Sequence, residues 1–422
     1  MGSILKFIKN EYIFALITRF VNIFIAIAQS IIIARYLGPE LKGISAYISS
    51  IYGIGSIIIT FGMHQAYPYL VKKYGKDYFY KRYISLVYLI FGIYSLLSLP
   101  FFLTSLSIDI CISILIMPLA GYSRIISYVC LIESPNKRNR VSLYITFIHL
   151  FITVALMVCT TANYFWMIFI LVINMIIESL YFTYILGCKP VFDKESKVLL
   201  YELVKFGFFP MIALLMTTLN YKIDVLMLGQ YDFITYSMIG VYSLGIGLAD
   251  KIVVIPDSLK GVLVSKLSKG APDSEVARIC RLCMIAGLSI FFFLLIFGRW
   301  LIHLLYGDVY AGAFKVIIIT SIGVIFVGYF KLIAQYNIVN GKQIKNVILL
   351  SVAILVNVIG NLVFVPTMGI YGAALATSIG NFVCGFVFVL YFSRISNIPL
   401  SEMLFIKKGD LAIVKQYFNR KK

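Results

Sequence analysis

The sequence has little charge and few of the residues that serve enzymes as metal ligands. Only 13% of its 422 residues are Asp, Glu, Lys or Arg, whereas a typical soluble domain has about 25%. Histidine occurs three times, and the sequence contains no Gly-x-x-x-x-Gly-Lys-Ser/Thr loop for ATP, no Gly-x-Ser-x-Gly elbow and no His/Cys cluster. These absences argue against a soluble protein, an ATPase and a metalloprotein. We expect no catalytic residues, no cofactor, no metal ion and no enzymatic activity.

Apolar runs make up most of the chain. Hydrophobic residues account for 61% of the sequence. They occur in stretches of about 20 residues, the length that crosses a bilayer core as a helix. The pattern predicts an all-α integral membrane protein with about twelve transmembrane helices and short loops, near residues 12–34, 44–65, 84–106, 110–132, 141–159, 165–186, 206–228, 238–259, 282–304, 314–338, 347–365 and 370–391.

The chain carries an excess of positive charge, with 37 Lys and Arg against 18 Asp and Glu. A basic chain can attract nucleic acid. Here, however, 28 of the 37 cations fall in the N-terminal segment, the even-numbered loops and the C-terminal tail, and only four lie toward the odd-numbered side, Arg35, Lys42, Arg299 and Lys315. Basic residues mark the cytoplasmic side of membrane proteins. We therefore expect both termini to be cytoplasmic, contact with anionic membrane lipids and no nucleic acid partner.

The longest inner connection follows the sixth helix, so the chain divides into two six-helix lobes. We expect an N-terminal lobe at 1–190, a cytoplasmic linker at 191–204, a C-terminal lobe at 205–395 and a cytoplasmic amphipathic tail at 396–422. The ends of helices one and seven resemble each other, which indicates duplication and pseudo-two-fold symmetry: Tyr36-Leu37-Gly38-Pro39 and Met227-Leu228-Gly229-Gln230. Parallel repeats place a substrate site between the halves near mid-membrane.

Ionisable residues inside the predicted spans indicate where function lies. Each costs about 2.5–3.5 kcal/mol to insert, and such residues usually face the bundle interior or a water-filled cavity. Arginine in particular makes bidentate hydrogen bonds to phosphate oxygens. We therefore predict that the basic residues bind substrate and that three acids are candidates for coupling to H+ or Na+. The basic residues are Arg19, Arg124, Lys222, Lys251 and Lys331, and the three acids are Glu178, Asp224 and Asp250.

The spacing of these charges does not decide between a cavity lining and internal ion pairs. Helical spacing places Ser243, Gly247, Asp250 and Asp257 on one face of the eighth helix, with Lys251 beside it. In an alternative interpretation the charges are internal ion pairs, Arg19 with Glu178 or Lys222 with Asp224, that hold the bundle together.

Short segments along the chain resemble one family of transporters. Ala34-Arg35-Tyr36-Leu37-Gly38-Pro39 resembles the Ala-Arg-x-Leu-Gly-Pro signature of polysaccharide-export flippases. Further segments resemble the same family in the expected order, at residues 224–229, 240–243, 306–313 and 366–374. Together they resemble the Wzx-type O-antigen flippases of the multidrug/oligosaccharidyl-lipid/polysaccharide exporter superfamily.

The resemblance implies two six-helix bundles that work by alternating access in a bacterial inner membrane. It implies that undecaprenyl-diphosphate-linked oligosaccharide repeat units, of O-antigen or a similar surface polysaccharide, are flipped from the cytoplasmic to the outer leaflet. Polysaccharide polymerase and chain-length proteins are then the expected partners. By helix and depth, the family's cavity cations correspond to Arg19, Arg124, Lys251 and Lys331.

Three other functions stay open. A drug/cation antiporter of the same superfamily would carry unpaired acids in its cavity rather than arginine. A flippase for the peptidoglycan precursor is the second. A membrane glycosyltransferase or polymerase is the enzyme alternative, although outer loops of about nine residues at most leave no room for an external catalytic loop.

Overall fold

The computed structural model describes residues 11–187, 191 and 195–405, without the side chains of residues 11–20, 23, 102, 136 and 195–197. All regular structure in these ranges is helical. We number the α-helices α1 (Glu11–Thr60), α2 (Met63–Tyr74), α3 (Lys76–Ser98), α4 (Ile108–Glu133), α5 (Pro135–Cys159), α6 (Tyr164–Leu186), α7 (Glu195–Leu228), α8 (Tyr236–Ala249), α9 (Val254–Ser268), α10 (Asp273–Tyr306), α11 (Ala313–Val339), α12 (Gln343–Met368), α13 (Ile370–Ser396) and α14 (Leu400–Leu404). Short 3₁₀ helices lie at Leu99–Leu103, Asp250–Val253 and Asp308–Tyr310.

Within the described ranges, 11 helical stretches are long and apolar enough to cross a membrane. The first, Phe24–Tyr74, has 51 residues and contains non-helical backbone at Gly38, with φ 69° and ψ 175°. Glycine adopts this conformation at little steric cost, and Pro39 suits the first position of the helix that follows. The break divides the stretch into two spans, which brings the number to the predicted twelve. The all-α multi-pass membrane class is therefore confirmed.

The helix ends differ from the predicted ones. The expected outer loop between the first two spans is only the break at Gly38, so Lys42 lies on a helix. α7 begins at Glu195 and α10 at Asp273, well before the predicted spans. Charged residues continue a helix beyond the apolar run, because their side chains are soluble in the interface while the backbone bonds are still made.

The chain divides into two compact units, and the division falls between Thr218 and Leu219, inside α7. The segment expected as a linker at 191–204 is helical from Glu195 onward. Of the expected amphipathic tail, the structure describes α14 and Phe405; residues 406–422 lie outside the described ranges.

Aromatic side chains form a core in the N-terminal unit between α2, α3 and α4. Tyr67 and Tyr83 are fully buried with ring centroids 4.7 Å apart, and Phe79 lies 5.8 Å and 5.6 Å from them. Each such pair contributes about 0.5–1.5 kcal/mol beyond burial. The Tyr67 hydroxyl donates to Oε1 of Glu133 at 2.6 Å, and Lys76 pairs with the same carboxylate. These contacts tie α2 and α3 to the end of α4.

The C-terminal unit is built around α11, which packs along α13 and against α8, α9 and α10. At Gly323 the backbones of α11 and α13 approach closely, since a Cβ there would overlap the backbone of Ser378. The Ser378 hydroxyl accepts a hydrogen bond from the Gly323 amide at 3.1 Å. Small residues at helix crossings are typical of membrane bundles, because they let dispersion contacts form over a long stretch.

The predicted eighth span is not one continuous α-helix. α8 ends at Ala249, the 3₁₀ segment Asp250–Val253 follows, and α9 begins at Val254. Pro256 lies in the first turn of α9, where it lacks an N–H to donate to the carbonyl of Ile252. The turn before it tightens into i to i+3 bonding, which satisfies the backbone without that donor.

Candidate functional site

Arg124 is a half-buried cation in the C-terminal half of α4. Its Nη2 donates to the buried hydroxyl of Ser56 on α1 at 3.2 Å. Among the residues that the structure describes, no carboxylate lies within 4.0 Å of the guanidinium. A single neutral hydroxyl leaves most of its five donor hydrogens available. Arg124 therefore has the chemistry of a site for an anion.

Glu178 lies on α6 and accepts a hydrogen bond from the Ser123 hydroxyl at 3.0 Å. Ser123 and Ser127 are one turn apart on α4, and Ser127 accepts from Arg138 at 3.5 Å. Glu178 thus lies at a polar face of α4, in a half-buried position. The side chain of Arg19, the other predicted member of this group, lies outside the described residues, and so does the alternative ion pair with Glu178.

Asp224 is the most enclosed of the predicted residues whose side chains the structure describes, with 2% of its surface exposed. Its Oδ2 accepts from the hydroxyls of Thr377 at 2.7 Å and Tyr242 at 3.1 Å, and its Oδ1 accepts from Nδ2 of Asn361 at 3.1 Å. In the described part of the chain no Lys or Arg lies within 4.0 Å of this carboxylate. The alternative in which Lys222 neutralises Asp224 does not match these contacts.

The group around Asp224 also contains polar atoms that lack a partner in the structure. Asn361 donates to the side-chain oxygen of Asn357 at 2.7 Å, and Asn220 donates to Asn381 at 3.1 Å. Oδ1 of Asn361, Oδ1 of Asn220 and Nδ2 of Asn357 are buried without a hydrogen-bond partner. Unsatisfied buried polar atoms are costly and call for an explanation, such as an ion. Carboxylate, amide and hydroxyl oxygens are the ligands of hard cations.

Lys331 on α11 forms an ion pair with Asp257 on α9, a partner that the sequence did not predict for it. Its Nζ donates to Oδ2 of Asp257 at 2.9 Å and lies 5.6 Å from the ring centroid of Tyr221. Lys260 lies 2.6 Å from the other carboxylate oxygen of Asp257. Two cations therefore share one carboxylate, and the group retains one positive charge.

The remaining predicted residues lie at separate places in the C-terminal unit. Asp250 is half-buried at the first position of the 3₁₀ segment, and Lys251 beside it is exposed. Lys222 is half-buried on α7, two residues before Asp224, and has interactions of its own. The structure thus brings Asp257 and Lys331 together, and surrounds Asp224 with neutral residues instead of with the predicted cations.

Sequence reasoning did not identify the neutral partners of Asp224. Asn357 and Asn361 are one turn apart on α12, and Thr377 lies on α13. Two asparagines at i and i+4 inside an apolar helix lie on the same face, which would have been a usable signal. Neutral polar side chains carry no charge, so a search for intramembrane charges passes over them.

The comparisons with known proteins agree with this fold. Residues 8–267, more than half of the chain, match the family described as "Polysaccharide biosynthesis protein". No curated protein matches the sequence.

Several solved structures are similar to it. One is the lipid II flippase MurJ in an inward closed conformation, with a TM-score of 0.76 and 17% identity over 97% of this chain and 93% of that chain. Another is an inward-facing multidrug resistance transporter of the MATE family, with a TM-score of 0.58 and 14% identity over 89% of this chain and 94% of that one. A transporter of the MOP superfamily from Pyrococcus furiosus has a TM-score of 0.54 and 10% identity over 91% and 94%. At these identities the likeness establishes the fold.

Proposed function

The chain belongs to the polysaccharide biosynthesis protein family, and from this membership we propose that it flips undecaprenyl-diphosphate-linked oligosaccharide repeat units across a bacterial inner membrane. The units are those of O-antigen or a similar surface polysaccharide. They pass from the cytoplasmic to the outer leaflet by alternating access, and both termini are cytoplasmic. Polysaccharide polymerase and chain-length proteins are the partners that would use the product.

Arg124 carries the proposal. A half-buried guanidinium without a carboxylate among the described residues needs an anion, because an uncompensated charge in a low-dielectric setting costs several kcal/mol. A diphosphate supplies charge and paired oxygens that match the planar fork of arginine. This chemistry supports a lipid diphosphate over a neutral or cationic substrate.

The other predicted cations take part in different degrees. Lys331, Lys260 and Asp257 together keep one positive charge, so they can attract a diphosphate without presenting a bare ammonium. Exposed Lys251 is available to a mobile headgroup. Arg19 and Lys222 remain proposed substrate-binding residues because they lie inside the predicted first and seventh spans, respectively.

Asp224 is the proposed coupling residue for H+ or Na+. Its carboxylate is buried among hydroxyl and amide oxygens, with unpaired amide atoms beside it. A cation or a proton would neutralise the carboxylate, and its release would leave a charge that the surroundings only partly compensate. Glu178 and Asp250 are weaker coupling candidates, since both are more exposed than Asp224.

A drug/cation antiporter is the second candidate, and Asp224 is the observation that favours it. A buried acid without a basic partner in the described residues could bind a cationic drug as well as an inorganic ion. Tyr242 and Asn361 beside it are fully buried, so a drug-sized cation could reach the carboxylate only if this packing opened. Arg124 would repel a cationic substrate, which supports the flippase.

The test is deletion of the gene in its host, with complementation by wild-type protein, Arg124→Ala or Arg124→Lys. We expect deletion to abolish surface polysaccharide and to make complete lipid-linked repeat units accumulate in the inner leaflet. Arg124→Ala should restore less than about a tenth of wild-type polysaccharide, because a charge-assisted hydrogen bond to phosphate is lost. Arg124→Lys should restore an intermediate amount, since it keeps the charge but not the planar fork.

Lys72→Ala is the matched control, because Lys72 is exposed at the end of α2. It should complement fully at equal expression. Unchanged polysaccharide in the deletion strain would leave the antiporter ahead, and incomplete repeat units would indicate an enzyme. Full complementation by Arg124→Ala would show that Arg124 on α4 does not bind the diphosphate.

A further inference from the structure

A cavity of about 260 Å³ lies within the N-terminal unit, between α1, α5 and α6. Apolar side chains form part of its wall. Its polar lining consists of Lys42, Ser45, Tyr52, His149 and Asn174. Neither Arg124 nor Glu178 lines it, so it is separate from the group described above.

Lys42 is the only charged residue among the described residues that line this cavity. The ammonium has no hydrogen-bond acceptor, and no carboxylate within 4.0 Å, in the part of the chain that the structure describes. Lys42 is also half-buried, so water compensates its charge only in part. A cation in this position is stabilised by an anion that enters the cavity.

The other polar groups fit the same occupant. His149 lies 3.3 Å from the backbone oxygen of Ile170 through Nε2 and 3.1 Å from Nε2 of Gln29 through Nδ1. If Nε2 donates to the carbonyl, Nδ1 accepts from the amide, so the ring is neutral and fixed in orientation. Oδ1 of Asn174 is buried without a partner and can accept from a protonated oxyanion or a sugar hydroxyl. The cavity thus combines one mobile charge with fixed neutral groups.

Polar residues connect this cavity with Arg124 along one helix face. Ser45, Ser49, Tyr52 and Ser56 follow Lys42 at steps of three and four residues on α1. Ser56 accepts the hydrogen bond from Arg124. At about 1.5 Å per residue, Lys42 and Ser56 are separated by about 21 Å along the helix. Two cations without acidic partners among the described residues therefore lie at opposite ends of one polar stripe.

We propose that the cavity is a second oxyanion site, in which Lys42 receives a phosphate or carboxylate group of the substrate at the end of the span opposite to Arg124. It rests on the proposed function, since the diphosphate of the lipid carrier is then the first source of the anion and an acidic sugar the second. The volume equals that of roughly nine water molecules in the liquid, which suits one small charged group and not a whole oligosaccharide. In the proposed orientation Arg124 holds the anion near the cytoplasmic side and Lys42 near the outer side.

A cysteine that lines the cavity can report whether the cavity is occupied. Met175→Cys places a thiol in the lining without removing a polar group. Cys159, which is exposed, and Cys188 are replaced by serine; the other cysteines in the described ranges are buried. The purified full chain is treated with N-ethylmaleimide in the presence of inorganic pyrophosphate or glucuronate. N-ethylmaleimide is neutral, so removal of the Lys42 charge does not change the local concentration of the reagent in the cavity.

We expect pyrophosphate to slow labelling, and Lys42→Ala to raise the concentration needed for half protection about ten-fold or more. Lys42→Arg should keep protection, as should the exposed control Lys72→Ala. Protection by glucuronate alone would support the site and assign it to an acidic sugar. Equal protection in Lys42→Ala, or no protection by either anion, would overturn the proposal.

Two readouts separate the possible failures. If the Lys42→Ala variant is labelled without anion at a rate within about two-fold of the parent, its cavity is intact, and a loss of protection is then due to the missing charge. If the alanine variant does not fold, the Lys42→Gln variant is used in its place. If protection holds while gene deletion leaves surface polysaccharide unchanged, the oxyanion site stands and the flippase proposal fails. If deletion gives the expected intermediates without protection, the reverse is true.

Discussion

At the scale of single residues, the environment of Asp224 only partly offsets the free-energy cost of burying its charge. It is buried, three neutral donors contact it, and two of those donors are hydroxyls. Hydrogen bonds from neutral groups lower the cost of a buried charge but do not cancel it, whereas a bound cation would. The residue is therefore expected to bind a cation or a proton during part of the transport cycle.

We expect Asp224→Asn to lower the flipping rate at least about ten-fold and to abolish its dependence on the ion gradient, because the amide carries no charge for a cation to neutralise. The amide oxygen can still accept from Thr377 and Tyr242, so folding should be preserved. The measurement is transport of the lipid-linked substrate into proteoliposomes with imposed Na+ or H+ gradients. Sodium chloride, compared with choline chloride, should raise the unfolding temperature of the wild type only, if the ion is Na+.

Asp308→Asn is the control for this experiment, since the Asp308 side chain is 82% exposed and lies outside the polar group. It should behave as wild type. Transport at the wild-type rate, with the same ion dependence, in Asp224→Asn would exclude this carboxylate from coupling.

The rule that intramembrane charges mark function selected Asp224 and Arg124 as candidates, but it could not supply their partners. Whether a charge in a helix is paired depends on side chains from other helices, and spacing within one helix holds no information about them. Asp257 shows this: it follows Asp250 at helical spacing, yet it binds Lys331 of α11 and Lys260 of its own helix. Arg124 shows the opposite outcome, a predicted cation to which no acid is paired in the described residues.

At the scale of helices, the backbones of the α1–α2 junction and α7 approach each other closely in the N-terminal unit. Gly62 has a φ of 64°, and a Cβ there would overlap the carbonyl of Gly207. A Cβ at Gly207 would in turn overlap the carbonyl oxygen of Phe61. Backbone cannot move aside as a flexible side chain can, so the crossing requires glycine on both elements.

We expect Gly207→Ala to lower the stability by about 2 kcal/mol, because the cost of overpacking exceeds the gain of about 1 kcal/mol in helix propensity. Gly207 has no positive φ, so packing alone accounts for the loss. The measurement is the apparent unfolding temperature in detergent. It is followed with a thiol-reactive dye that fluoresces when it reacts with cysteines exposed by unfolding.

Gly92→Ala is the matched control, since Gly92 is also helical and a Cβ there meets nothing within 4 Å. It should leave the unfolding temperature unchanged or raise it slightly. Equal effects of the two substitutions would mean that the crossing is looser than the structure indicates.

The sequence predicted the existence of the helices well, because about 20 apolar residues in a bilayer have little alternative to a helix. It predicted their ends and interruptions poorly. The loop expected between the first two spans, which would have contained Lys42, is a single residue with non-helical backbone, Gly38. α7 continues from Glu195 through the segment expected as a linker. Hydropathy reports where a chain is apolar, whereas helix ends depend on backbone hydrogen bonds that polar residues can also make.

At the scale of the whole molecule, the distribution of cations predicts the orientation in the membrane. Nearly all loop cations lie on the side of the termini when the predicted spans are counted, and cytoplasmic loops attract such charges. The break at Gly38 divides the first of the 11 apolar helical stretches in the described ranges, which gives the twelve spans that this alternation requires.

If the C-terminus is cytoplasmic, as the charge distribution predicts, green fluorescent protein fused after Lys422 should fluoresce and alkaline phosphatase fused there should be inactive. Phosphatase fused after Gln230, in the connection between α7 and α8, should be active. Each fusion is compared at equal expression with the other reporter at the same residue. An active phosphatase at Lys422 would reverse the orientation and would exchange the proposed sides of Arg124 and Lys42.

The 3₁₀ segment Asp250–Val253 changes which residues of the eighth span lie on the same helix face. A residue in a 3₁₀ helix turns the chain by about 120°, against about 100° in an α-helix, so the four residues shift the helical phase by about 80°. A single helical wheel drawn from Tyr236 to Ser268 therefore superposes two different faces. Asp257 falls beneath Ser243 on that wheel, but in the molecule it is turned toward Lys331. The helix face that tolerates substitution should therefore rotate at Asp250. One helical wheel for α8 and a second for α9 should predict the tolerant positions, whereas a single wheel for the whole span should not.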